Sequence, residues 1–186
     1  MTATRELPVL DATAELVAPY GRLITDDVTA DIDIPYYRGR VVEGGDIGFE
    51  YRGAATLRTA KVLPGADSTV LWLERHLYLT QLFVGLGTEP FVMVLAPPNH
   101  ETGGDLPDLD AARALRIPAA TGLLLHRGTW HDFPIACRGP VTFLLGNSAE
   151  VIDALRAAGT ARELDQGDVY KISLPDRLAT RLKVLL

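Results

Sequence analysis

The segment LWLERHLYLTQLF, Leu71 to Phe83, reads as a β-strand in a mostly apolar run, yet it carries Glu74 and His76 two residues apart and Gln81 soon after. Side chains on a strand alternate between faces, so Glu74 and His76 share one face with Trp72, while Leu71, Leu73 and Arg75 take the other. A carboxylate projecting into an apolar cavity is costly unless something neutralises it. A bound cation or a polar ligand would do so. A second segment, LLLHRGTWHDF, places His126 before a tight turn at Gly128, and His131 and Asp132 after it. Either imidazole can complete a site with Glu74 and His76, and carboxylate and imidazole donors suit several divalent ions. Trp72, Phe83, Trp130 and Phe133 read as walls of such a cavity.

These residues need strands to position them, and the pattern supplies strands. ATLRTAKVL alternates and stops at the turn signal PGAD; STVLWLERHLYL, QLFVGLG, PFVMVLAPP, TGLLLHRG and GPVTFLLGN follow. LDATAELVAPYGRLI predicts a short helix capped by Asp11 and ended by Pro19 and Gly21. The stretch from Thr25 to Gly53 predicts short strands and loops with a turn at EGGD, and NHETGGDLPDLDAARAL predicts a loop with a helical turn at DLDAARAL. SAEVIDALRAAG has helical spacing of Val151, Leu155 and Ala158, with Ser148 as N-cap and Gly159 at the end. The tail DVYKISLPDRLATRLKVLL predicts one or two further strands. Many short strands with Gly and Pro turns predict an all-β barrel.

The order of motifs adds a resemblance. Glu74-x-His76-x4-Gln81 is similar to the first cupin motif, with Glu for the first His and Gln for the Glu; His126-x-Gly128-x-x-His131 is similar to the second, with His for Pro. More narrowly, LERHLYLTQLFVGL, PFVMVLAPP and GLLLHRGTWHDFP resemble the ureidoglycolate lyase (ureidoglycolate hydrolase) family, as does the opening LVAPYGRLI. The resemblance implies a cupin-type double-stranded β-barrel, or jelly roll, with a few short peripheral helices, and a homodimer. It implies cleavage of ureidoglycolate to glyoxylate and urea. It implies a divalent transition metal (nickel, manganese or zinc) held by Glu74, His76, Gln81 and His131; the proton transfers that such a cleavage needs make His126 and Asp132, beside His131, the catalytic candidates. Three departures stand out. Leu77 occupies the place of a family proline, Asp132 that of a second His, and LLGNSAE lacks the family's arginine, a natural carboxylate clamp. A different small acid handled by a hydrolase, isomerase or oxygenase on the same barrel, and a non-catalytic binding protein, are the alternatives.

Composition bounds these readings. The 186 residues suit one barrel domain spanning 1–186. Net charge is −6 with scattered basic residues, which argues against nucleic acid as a partner; a small carboxylate substrate is what the resemblance implies. Cys137 is the sole cysteine, so no internal disulfide forms. The start lacks a signal-peptide pattern and no apolar run is long enough to span a bilayer, so the expectation is a cytoplasmic protein without a membrane partner.

Overall fold

A computed structural model describes residues 2–186 of the protein. Its strands are β1 (Ala3–Asp11), β2 (Gly21–Ile24), β3 (Ala55–Val62), β4 (Thr69–Val70), β5 (Trp72–Arg75), β6 (Leu82–Leu86), β7 (Phe91–Ala96), β8 (Arg113–Ile117), β9 (Gly122–Leu125), β10 (Trp130–His131), β11 (Ile135–Ala136), β12 (Val141–Ser148), β13 (Leu164–Gln166), β14 (Val169–Ser173) and β15 (Thr180–Leu185). The helices are α1 (Ala14–Val17), α2 (Ala149–Ala157) and α3 (Leu174–Leu178). The larger sheet runs β13-β14-β5-β10-β7-β8-β1-β15-β4, with β11 also on β7; the smaller runs β2-β9-β6-β12-β3.

The two sheets face each other. Phe83, Leu123 and Phe143 of the smaller sheet meet Phe91, Met93, Leu95 and Leu115 of the larger in one buried cluster. This is the all-β barrel that the strand pattern predicts, in the jelly-roll form that the resemblance implies, with short helices at its edge. The far side of the larger sheet is covered as well. Leu7, Val70, Leu182 and Val184, from β1, β4 and β15, pack with Leu73, Val92, Val94, Trp130 and Ile172. Every residue of β7 is therefore buried, which explains why it reads as a continuous apolar run. Each large side chain enclosed in this way contributes about 1.5–3 kcal/mol relative to exposure.

Several local expectations change. DLDAARAL forms no helical turn at its end, because Arg113 begins β8: Ala114 joins the outer core while Leu115 and Ile117 join the inner one. Pairing with β7 and β1 overrides the helix preference of Ala, Arg and Leu. Asp11 ends β1 rather than capping α1. Thr13 is the cap, its hydroxyl accepting from the Leu16 amide at 3.2 Å. Ser148 does cap α2, and Gly159 follows it with a positive φ of 69°. The face of α2 that is buried carries Val151 and Ala154, while Leu155 is exposed. Between Thr25 and Gly53 there is a 3-10 turn, Pro35–Tyr37, and one isolated bridge, Ile32–Glu43, in place of short strands. Trp130 is no cavity wall: it sits wholly buried in the outer core. The tail is built into the larger sheet, β14 against β5 and β15 parallel to β1.

Candidate functional site

The predicted strand around Glu74 ends at Arg75, and three chain segments then converge. β10 lies between β5 and β7, so His131 pairs with Glu74 on one side and Leu95 on the other. Leu95 faces the inter-sheet core, and cross-strand partners share a face, so Glu74 and His131 project inward. His76 follows β5 directly. Its carbonyl accepts from the Gly128 amide at 2.6 Å, which ties the two motif segments together. Gly128 is required at this turn: its φ is +78°, and a Cβ would lie 2.0 Å from His100 Nδ1.

Glu74, His76 and His131 are all buried. Glu74 Oε1 lies 3.8 Å from His76 Nε2 and 3.8 Å from His131 Nε2. The imidazole tautomers follow from their other nitrogens. His76 Nδ1 donates to the Asp168 carbonyl and His131 Nδ1 to the Thr129 carbonyl, at 2.5 and 2.9 Å. A carbonyl only accepts, so each Nδ1 carries the proton and each Nε2 presents a lone pair inward. Neither Nε2 has a hydrogen-bond partner among the described residues, and neither does Gln81 Oε1, on another buried side chain. Buried polar atoms normally find partners. Two imidazole lone pairs and a carboxylate oxygen, all within 4.8 Å of one another, form a donor set that can hold a metal ion. Hydrogen bonds from the far ring nitrogens to fixed acceptors are what such ligands need.

The charge balance suits that use. Burial would raise the Glu74 pKa, but Lys171, with His76 and His131, outweighs it and holds the carboxyl below its usual range. Burial, with His76 beside it, pushes His131 down to about 4, so the ring is a neutral ligand at neutral pH. Asp132 moves the other way: burial raises it to about 6, against the pull of Lys171.

The sequence-predicted residues therefore separate. Glu74, His76 and His131 come together; Gln81 is buried with a free oxygen; Asp132 lies close enough to feel the charges of Glu74 and Lys171. His126 lies elsewhere, exposed, with Nε2 3.2 Å from the Ala18 carbonyl. It lines a separate surface cavity of about 430 Å³ with His100, Arg127 and Glu50. Phe83 is a wall as expected, edge-on to His131 at 6.2 Å.

Two residues of the tail escape a local reading. Lys171 faces Glu74 across the β14–β5 pairing and donates to Glu74 Oε2 at 3.0 Å. Asp168 is bound to the same corner twice. Its carbonyl fixes His76, and its carboxylate accepts from the amides of Leu77 at 2.7 Å and Tyr78 at 3.0 Å. The only signal was a lone lysine and a lone aspartate in the strand-like DVYKIS.

Comparison with known proteins agrees with this geometry. The sequence model described as ureidoglycolate lyase matches residues 4–156. Among similar proteins, a ureidoglycolate lyase of Pseudomonas syringae pv. syringae (strain B728a) is 31% identical over 133 residues, covering 68% of this chain and 74% of the relative. One of Pseudomonas putida (strain W619) is 30% identical with 68% and 75% covered, and one of Azotobacter vinelandii is 33% identical with 52% and 54% covered. With most of its barrel strands, its inward Glu-x-His and its distal histidine within the matched region, the chain belongs to the ureidoglycolate lyase family.

Proposed function

We propose that the protein splits ureidoglycolate into glyoxylate and urea at the Glu74–His76–His131 cluster. The observation that carries this is the pair of buried Nε2 lone pairs aimed at one carboxylate oxygen, in a chain whose relatives are named for that reaction. Glu74, His76 and His131 would hold a divalent ion such as nickel, manganese or zinc, and the unpartnered amide oxygen of Gln81 would be a further donor. When bound, such an ion lowers the pKa of a hydroxyl that it contacts.

The chain's own groups supply the rest. The substrate carbinol loses its hydroxyl proton, its carbon–nitrogen bond breaks with the electron pair going to nitrogen, and that nitrogen takes up a proton. Asp132 accepts the first proton and returns it to the departing nitrogen, which leaves the enzyme unchanged. His126 was the other candidate from the sequence; its exposure and its contact with Ala18 favour Asp132. Phe83 and its apolar neighbours keep water away from the reacting face.

This reading includes a single-domain, cytoplasmic homodimer. A lone, partly buried Cys137 supports a reducing compartment, and no helix among the described residues is long and apolar enough to cross a membrane. Exposed apolar side chains between Val28 and Tyr51, Tyr36 at 88% among them, support a partner copy. The test is glyoxylate release from racemic ureidoglycolate with added divalent metal. Release stopping at half the substrate is the expected result; no release from folded, metal-loaded protein ends the proposal.

A further inference from the structure

The family match ends at residue 156, yet the barrel wall at the site is completed by β13 and β14, beyond it. We propose that this C-terminal hairpin is part of the substrate site, and that Lys171 is the cation that receives the substrate's carboxylate. The inference rests on the functional reading above and names the group that the sequence lacked when LLGNSAE offered no arginine.

Position comes first. Lys171 pairs with Glu74 across adjacent strands, so both project from the same face. Its ammonium sits 3.0 Å from Glu74 Oε2, and its charge also lowers the pKa of His131 and Asp132. The other basic candidates are elsewhere: Arg58 and Lys61 are exposed on β3, the edge strand of the opposite sheet.

Capacity comes second. An ammonium has three donors. Lys171 makes one recorded hydrogen bond, to Glu74 Oε2. That bond uses Oε2, while Oε1 faces the two unpartnered Nε2 atoms at 3.8 Å, so a metal taken up among those three atoms would leave the lysine contact intact. The remaining donors of Lys171 are open to an incoming anion.

Access comes third. The Lys171 side chain is 24% exposed, against 8% for Glu74 and 2% for His131, so the ammonium spans the buried cluster and solvent. On its outer side lies a cavity of about 170 Å³ bounded by Trp72, Leu155, Leu164 and Arg162. Trp72 and Leu164 share the face of Glu74 and Lys171. Lys171 lines this cavity and the three candidate metal ligands do not, so Lys171 is the member of the cluster that an anion there touches.

The experiment is calorimetric titration of manganese-loaded protein with glycolate and with glycolamide, its neutral amide of similar shape. Wild-type protein is expected to bind glycolate about 10–100-fold more tightly, the range of a charge-assisted hydrogen bond. Lys171→Met should remove that preference while keeping the manganese stoichiometry and the circular dichroism of the wild type. Lys171→Arg should restore most of it. A Lys171→Met protein that still prefers glycolate overturns the proposal. So does one that loses manganese, because Lys171 then only holds Glu74. Wild-type protein that prefers glycolate but releases no glyoxylate from ureidoglycolate removes the proposed reaction and leaves the anion site standing. Wild-type turnover without a glycolate preference does the reverse.

Discussion

Glu74 and Arg75 are adjacent in sequence and almost equally buried, at 6% and 7% exposed, but they face opposite sides of β5. Arg75 is tied into its own face, with only its Nε left without a hydrogen-bond partner. It donates to Asn99 Oδ1 at 3.1 Å and to the Gly104 carbonyl at 2.7 Å, and its guanidinium lies over the rings of Trp130 and Tyr170, 4.5 and 5.0 Å from their centroids. Trp130 Nε1 donates to the same Asn99 oxygen, which joins loop, strand and outer core. On the other face Glu74 has one ion pair, and the imidazoles beside it keep unused lone pairs. The charge enclosed by partners supports the fold. The charges surrounded by unspent donors and acceptors are available to a ligand. Burial alone does not separate the two; the direction of the unspent atoms does, because Arg75 keeps one unused Nε beneath stacked rings while two imidazole lone pairs converge on Glu74.

The sharpest way to break this contrast is His131→Ala. It should remove metal binding and lower kcat/KM on the order of 1000-fold, about 4 kcal/mol of transition-state stabilisation. Metal content by mass spectrometry and glyoxylate release are the measurements, and retention of both would end the ligand assignment. Arg75→Met should do the opposite. Loss of two hydrogen bonds and the ring contacts should cost about 3 kcal/mol in urea unfolding, with metal stoichiometry unchanged. A metal-deficient but fully stable Arg75→Met protein would erase the distinction between the faces.

Asp132 and His131 sharpen it further through pH. His131 is lowered from 6.5 to about 4, so acid costs stability as pH falls through that window. Asp132 is raised from 3.8 to about 6, so its penalty is present above that value and disappears as pH falls. In metal-free protein the two slopes oppose each other. Asp132→Asn should therefore make the protein more acid-sensitive between pH 6.5 and 4, by about 2 kcal/mol relative to wild type. Equal acid sensitivity of the two proteins would refute the opposition. The smallest effect belongs to His126→Ala. Its exposed ring should change kcat by no more than about twofold, and a larger loss would bring His126 back into the proton path.

The sequence made the two inward motifs legible because alternation on a short strand is strictly local. Glu74, His76 and the strand-turn-strand around Gly128 can be assigned from neighbours alone. Lys171 could not, because its partner is 97 residues away and nothing in VYKIS names it. β8 was hidden for a different reason. Each face has buried residues, a small alanine, Ala114, stands where a large side chain would mark a period, and Arg113 and Arg116 suggest a surface. Trp130 was placed on the wrong wall because an aromatic beside a ligand suits a cavity equally well. Only the covering layer of β1, β4 and β15 shows that the sheet's outer side is a core too.

The parallel pairing of β1 with β15 has a consequence for how the molecule is made. Ala3 aligns with Thr180 and Pro8 with Leu185, so this contact closes nearly the longest loop that the chain contains. β5 likewise waits for β14. Non-local pairings of this kind are slow to form, and on the ribosome β1 and β5 must wait for β15 and β14 to emerge. The nascent barrel thus carries an uncovered outer sheet face and an unpaired Glu74 until those strands have been made. The strand that seals the fold arrives just behind the one that supplies Lys171, so folding and site assembly finish together.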